Sequence, residues 1–189
     1  GSVVNVEVDR PFVGKKNFNV TRAEVEIPDV PHHTLVADGI GYIKLNTFSQ
    51  KAYSHVKKAY EDLEKQGMKS LILDLRGNGG GVLTEAVNIV NMFVPRGQEI
   101  VRTKGRIEEE NRAYLTENAP KDLNIPVVVL VDGASASASE IVAGALQDLD
   151  RAVIIGSNTF GKGLVQRILD LKYGSKLKLT ISRYYTPSG

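Results

Sequence analysis

The sequence predicts an α/β fold with a partly parallel sheet and helical crossovers. Three observations carry that expectation. Lys69–Gly77 (KSLILDLRG) and Ile125–Gly133 (IPVVVLVDG) are short, near-continuous apolar runs, as strands buried within a sheet are. Stretches with apolar residues at helical spacing stand between such runs. Strand and helix patterns alternate along the chain, the order that builds parallel sheets.

The elements follow in order. Val3–Pro11 alternates apolar and polar residues and reads as a strand. Phe12–Ile27 holds a Gly-Lys-Lys-Asn turn and a second alternating stretch, so the two segments predict a β-hairpin. Two strands are marginal alone, so this hairpin is expected to pack on the main body or to be the remnant of another domain. Pro28–His33 (PDVPHH) reads as a linker by its prolines. The main body is expected from Thr34. Gly39–Phe48 reads as a strand, and Ser49–Gly67 as a helix with Ala52, Val56, Ala59, Tyr60 and Leu63 on its apolar face. A strand over Lys69–Gly77 leads to a helix over Val82–Val94, closed by Pro95. The polar stretch Arg102–Asp122 is expected to be a long surface loop. After the strand at Ile125–Gly133 come a helix over Ser139–Leu149, a strand over Arg151–Ser157, and an antiparallel pair, Gly163–Leu171 and Lys176–Thr186.

The bulk properties exclude several classes. The 189 residues suit one domain with a real core. A net charge of +2, with scattered basic residues, argues against nucleic acid as a partner. The absence of cysteine removes disulfides, thiolate metal sites and cysteine nucleophiles. No apolar run reaches the roughly 18 residues of a membrane span. Gly1-Ser2 reads as the scar of an expression tag, which leaves room for a removed signal.

Three stretches carry candidate chemistry. In Asp132–Ile141 (DGASASASEI), Ser135, Ser137 and Ser139 alternate with alanines. Ser137 followed by Glu140 is a capping-box pattern, so a plain helix start is one reading. The other is a nucleophile, since a hydroxyl at a helix N-terminus meets positive potential beside the C-terminal edge of a sheet. Such a serine needs a base. His32 and His33 lie in the proline linker and His55 on an ordinary amphipathic helix, so no Ser-His-Asp triad is evident. Lys162 in Thr159–Gln166 (TFGKGLVQ) is the alternative base. Phe160, Leu164 and Val165 are expected to desolvate it, which favours the neutral amine. An extended segment from Lys162 would put Leu164 and Gln166 on the same face, with Gln166 in reach of the amine. The Gly-Lys-Gly run lacks the spacing of a phosphate loop. Third, Leu73–Gly81 (LDLRGNGGG) runs from a strand into a glycine turn, as a tight turn, a nucleotide loop or an oxyanion hole.

Taken together, Gly39–Phe48, Leu73–Val87, Val128–Asp148, Arg151–Gln166 and Tyr184–Gly189 resemble the carboxyl-terminal processing proteases, or tail-specific proteases, in the family order. The resemblance implies a crotonase-like core and a serine endopeptidase that cleaves protein substrates near their C-termini. It puts the nucleophile on Ser137, the general base on Lys162 and its supporting glutamine on Gln166. It implies an oxyanion hole from the amides of Gly80, with Gly81 next, and of Ala138. Glu140, Asp148 and Thr159 match supporting positions. No metal, nucleotide or other cofactor is implied. The implied partners are proteins or peptides with flexible C-terminal tails, with room for an adaptor protein. The implied location is a bacterial periplasm or cell envelope. Residues 1–33 then read as the exit strands and linker of a PDZ domain, and residues 34–189 as the protease core. A crotonase-type acyl-CoA enzyme and a non-catalytic binding module of the same fold are the alternatives.

Overall fold

Strands whose order in a sheet follows their order in the chain need crossovers, and right-handed crossovers then place every helix on one face. The central sheet obeys this. A computed structural model of the chain describes residues 1–23 and 27–189. The chain runs through β1 (Val3–Arg10), β2 (Gly14–Thr21), β3 (His32–Ala37), β4 (Ile40–Lys44), α1 (Ala52–Lys65), β5 (Ser70–Asp74), α2 (Leu83–Asn91), β6 (Glu99–Gly105), β7 (Arg112–Leu115), β8 (Val127–Val131), α3 (Ala138–Asp148), β9 (Val153–Gly156), β10 (Leu164–Asp170) and β11 (Lys176–Tyr185). The central sheet has the order β3-β4-β5-β8-β9. β4, β5, β8 and β9 are parallel, and β3 is antiparallel at the edge.

The helices cover one face of this sheet. Leu71 and Leu73 of β5, and Val127, Val129 and Val131 of β8, are buried, while Ile72, Val128 and Leu130 between them are only half-buried. The near-continuous apolar runs are therefore not strands covered equally on both faces, because all three crossovers fall on the same side. α1 buries Ala52, Val56, Ala59, Tyr60 and Leu63, the five positions its spacing marks.

A second sheet has the order β10-β11-β6-β7 and is antiparallel throughout. The expected loop at Arg102–Asp122 is thus partly strand. β6 and β7 form a hairpin there, and β6 pairs with β11. Its polar side chains hid it: from Arg102 to Leu115 only Thr103 is buried, so that part is held by backbone pairing.

The N-terminal hairpin is present, with β1 paired to β2 from Val3↔Thr21 to Arg10↔Gly14. Its turn lies at Pro11–Val13, closed by the Val13 N–H on the Arg10 carbonyl at 3.0 Å. Lys15, Lys16 and Asn17 lie in β2, not in a turn. Pro11 presets its own φ and Gly14 supplies φ +85°, which fixes the bend there. The expected continuation of the second stretch to Ile27 crosses residues 24–26, outside the described residues. Among the described residues, the two strands pair only with each other. Val3, Val13 and Phe12 are exposed. His32 and His33 belong to β3 and not to the linker.

Asp29 joins the segment before β3 to the start of α1. Its side chain is buried, and its carboxylate accepts from the Ser49 hydroxyl at 2.7 Å, the Ser49 amide at 3.2 Å and His55 Nδ1 at 2.8 Å. Its carbonyl accepts the Asn46 amide at 2.8 Å. A buried carboxylate is tolerated only with such partners. Asp29→Ala removes the charged acceptor shared by Ser49 and His55, and a stability loss of about 1–3 kcal/mol is expected in urea unfolding. Asp29→Asn, which keeps one acceptor oxygen, is expected to lose less.

Candidate active site

The ends of β5 and β8 deliver two turns to the same edge of the sheet. Asp132, just after β8, accepts from the amides of Gly77 (2.9 Å), Ala134 (3.0 Å) and Ser135 (3.1 Å), tying the glycine turn to the serine turn. Two of the three serines are structural. The Ser135 hydroxyl donates to the Leu75 carbonyl at 2.8 Å, and the Ser139 hydroxyl to the Asn78 carbonyl at 2.9 Å; both side chains are fully buried. They bolt the serine turn to the chain following β5.

Ser137 differs from both. It is half-buried and is the N-cap of α3, with φ 57° and ψ −113°. That is the backbone of the first central residue in a type II′ turn, a position that favours glycine. Such strain persists only when the surroundings impose it. Here the Ser137 amide donates to Glu140 Oε2 at 2.7 Å. Gly80 packs against the same turn. A Cβ there would lie 2.6 Å from the Ala136 carbonyl oxygen and 2.8 Å from Ser137 Cβ, so a side chain would displace the serine.

Lys162 sits between Gly161 and Gly163, both at positive φ. Its backbone amide donates to Glu140 Oε2 at 3.1 Å. A cavity of about 600 Å³ is lined by Ser137, Lys162, Gln166 and Gly81, with Leu83, Ile141, Leu164, Val165 and Ile168 as apolar walls. Leu164 and Val165 are placed as expected beside the lysine, but Phe160 is 67% exposed and covers nothing. Its place in an open glycine-flanked turn accounts for this. Lys162, Leu164 and Gln166 do share the cavity, although β10 begins only at Leu164. The Gln166 side-chain amide donates to the Thr180 hydroxyl, its partner in register, at 3.5 Å. It is not held to the Lys162 amine.

The glycine turn also differs in detail. The Gly80 amide, expected as the oxyanion donor, is committed to Asn78 Oδ1 at 2.9 Å. Gly81 lines the cavity itself. A Cβ at Gly81 would meet the Phe48 carbonyl oxygen at 2.2 Å, so the close chain crossing there needs glycine. Ala138 is the first residue of α3, where backbone amides have no partner within the helix.

Glu140 gathers the site. Its carboxylate accepts from the amides of Ser137, Gly161 (2.6 Å) and Lys162, and from the hydroxyls of Thr159 (2.9 Å) and Tyr184 (2.9 Å). Burial works against its charge, but the Ser137 and Gly161 amides and the two hydroxyls outweigh burial and hold its pKa below the usual carboxylate value. Burial, and then the Glu140 charge, push the Tyr184 phenol up. Thr159 and Glu140 are therefore in direct contact. Tyr184 was not singled out by its residue type, although Tyr184–Gly189 is one of the stretches that carry the resemblance. Asp148 lies at the far end of α3, eleven residues from Ser137, or about 16 Å of helix rise. It accepts from the Ser188 amide (3.0 Å) and hydroxyl (2.8 Å) and anchors the tail rather than the cavity.

Residues 39–189 match the model of peptidase family S41, and the chain belongs to that family. It is 38% identical over 194 residues to the carboxy-terminal-processing protease of Bartonella bacilliformis, covering all of this chain and 44% of that protein. It is 35% identical over 192 residues to the carboxy-terminal processing protease CtpB of Bacillus subtilis, covering all of this chain and 40% of that protein. A solved photosystem II D1 C-terminal processing protease superposes with a TM-score of 0.75 at 36% identity, covering all of this chain and 52% of that one. The chain thus spans about half or less of the relatives it matches.

The Glu140 linkage gives a pH dependence with a definite sign. Its folded-state pKa is depressed, so its stabilisation is complete above the unfolded value of about 4.3 and is lost as pH falls through the folded value. Glu140→Gln is expected to be less stable than the parent near neutral pH. That gap should narrow as pH is lowered below about 4.3, as read by thermal unfolding across a pH series.

Proposed function

We propose that this chain is the catalytic core of a serine endopeptidase with a Ser137–Lys162 dyad that cleaves protein substrates near their C-termini. The observation that carries the reading is the division of labour among three serines. Ser135 and Ser139 are buried and bonded to backbone carbonyls, while Ser137 shares its cavity with Lys162. In this mechanism Ser137 Oγ attacks the scissile carbonyl carbon as neutral Lys162 takes its proton. The carbonyl oxygen becomes an oxyanion held by backbone amides. The Gly81 and Ala138 amides suit that role best, since Asn78 engages Gly80. The C–N bond breaks as the lysine returns the proton to the leaving amine. Water, deprotonated by the same lysine, then releases Ser137 from the acyl-enzyme. Gln166, on the cavity wall beside Lys162, orients the bound segment or the amine.

Further parts of the reading rest on the family. The parallel β4–β5–β8–β9 core with a glycine turn beside a helix start supports a crotonase-like origin. The self-paired hairpin with exposed valines supports the segment before β3 as strands and linker of a PDZ-type module that captures tails. An adaptor would act through such a module. The family resemblance implies work in a bacterial periplasm or cell envelope, and relatives of this chain occur in bacteria.

Ser137→Ala is expected to lower cleavage of a flexible peptide by at least about a thousand-fold with folding unchanged. Ser135→Ala should instead lose about 1–3 kcal/mol of stability, because Leu75 and Asp132 lose a buried partner. A fluorophosphonate should label the parent and not Ser137→Ala. Labelling that persists in Ser137→Ala would remove the assignment. Lys162→Arg is expected to be as inactive as Lys162→Ala, since arginine keeps its proton at working pH. Substantial cleavage by Lys162→Arg would exclude a lysine base.

A further inference from the structure

The cavity at Ser137 does not end at the dyad. It continues along β10 past Leu164 and Gln166 to Ile168, and there Lys178 of β11 joins its wall. Ile168 and Lys178 are partners in register, so their side chains stand together on one face. The walls between the two ends are largely apolar. Of the other cations on these strands, Arg167 lies 3.8 Å from Glu110 and Lys176 is bonded to Asp170, while Arg183, which has no ion pair among the described residues, does not line the cavity. Lys178 belongs to none of the ion pairs among the described residues. A solvent-exposed lysine at the open end of a largely apolar trough is suited to meet an anion carried by whatever lies in the trough.

We propose that Lys178 is a specificity residue that receives a substrate carboxylate at the end of the cavity remote from Ser137. The inference rests on the peptidase reading of the same site. Spacing sets which carboxylate fits. Leu164 to Ile168 spans about 13 Å of strand at about 3.3 Å per residue, and Lys162 stands two residues before the strand begins. An extended segment with its scissile bond at Ser137 therefore offers Lys178 a carboxylate about four to six residues away. The source is either the α-carboxylate of a chain end or an Asp or Glu side chain at that spacing. A chain end at this distance would make the cut fall a fixed few residues before the C-terminus.

The test uses one flexible peptide in four forms: free acid or C-terminal amide five residues beyond the cleaved bond, each with Glu or Gln as the last residue. Cleavage is measured with the parent, Lys178→Gln and Lys178→Arg. Affinity for the labelled peptides is measured with Ser137→Ala, so that binding is read apart from chemistry. The expected result is a KM about three- to ten-fold higher when the preferred carboxylate is removed, with kcat little changed. Lys178→Gln should abolish that preference, Lys178→Arg should restore it, and added salt should weaken it. Dependence on the free acid names the chain end as the source, and dependence on Glu names a side chain. Equal cleavage and equal binding of all four forms by the parent overturn the role of Lys178 and leave the peptidase reading intact. A preference that survives Lys178→Gln overturns it equally. Carboxylate-dependent binding with no Ser137-dependent cleavage upholds the site and overturns the peptidase reading.

Discussion

One carboxylate holds the two halves of the candidate dyad in place. Glu140 accepts from the amide of Ser137 on one turn and from the amides of Gly161 and Lys162 on another. A carboxylate can accept several donors at once, and charge-assisted bonds of this kind are stronger than neutral ones. Ionisation of Glu140 and assembly of the site are therefore one event. The strain at Ser137, a non-glycine residue at φ 57°, is offset by the same bond network. Ser137 lines the cavity while its backbone N–H, bonded to Glu140, completes the capping box that starts α3.

The other wall of the site is fixed by two further acids, Asp74 and Asp132. Asp74 is buried and accepts from Tyr42 Oη at 2.7 Å and from Arg76 Nη2 at 2.8 Å, with Lys44 Nζ at 3.4 Å. Burial opposes its charge, yet the Arg76 and Tyr42 bonds hold its carboxyl well below the usual carboxylate range. It stiffens the exit of β5 where the glycine turn begins. Asp132 then stitches that turn to the one after β8. Both turns leave the C-terminal ends of neighbouring parallel strands, the edge where open α/β sheets gather ligands. Close approach of Gly80 to the serine turn follows from this stitching, and it is the reason a side chain there has no room.

Much of this was legible in the sequence because it depends on local chemistry. The apolar face of α1 follows from 3.6-residue spacing, and all five marked residues are buried. Glycines at 80, 81, 161 and 163 announced turns, and all four have positive φ. Three things were not legible. The β6–β7 hairpin has polar side chains, and its pairing with β11 joins residues about eighty apart, which no local pattern encodes. Which amide of the glycine turn faces the cavity depends on the Asn78 side chain folding back on Gly80. Tyr184 meets Glu140 across 44 positions, so its role appears only once the second sheet has docked.

That docking is the last requirement for the site. The segment bearing Lys162 lies between β9 of the central sheet and β10 of the second, and no strand pairs across the two sheets among the described residues. The joint rests on α3 instead. At the start of the helix, Glu140 accepts from Tyr184 of β11, whose amide also donates to the Gly163 carbonyl at 3.1 Å. At the far end, Asp148 accepts from Ser188. Two bonds about a helix length apart resist rotation of the second sheet as well as its separation, which one bond would not. The Phe160 amide on the Ser135 carbonyl at 3.0 Å adds a third point near the serine turn. The candidate nucleophile follows β8 of the first sheet and the candidate base precedes β10 of the second, so the geometry between them depends on α3 as a common support, beside the packing of β6 into the core. Asp148, remote from the cavity, thus secures the tail on the far end of α3, while Glu140 at the near end holds the two turns that frame the cavity.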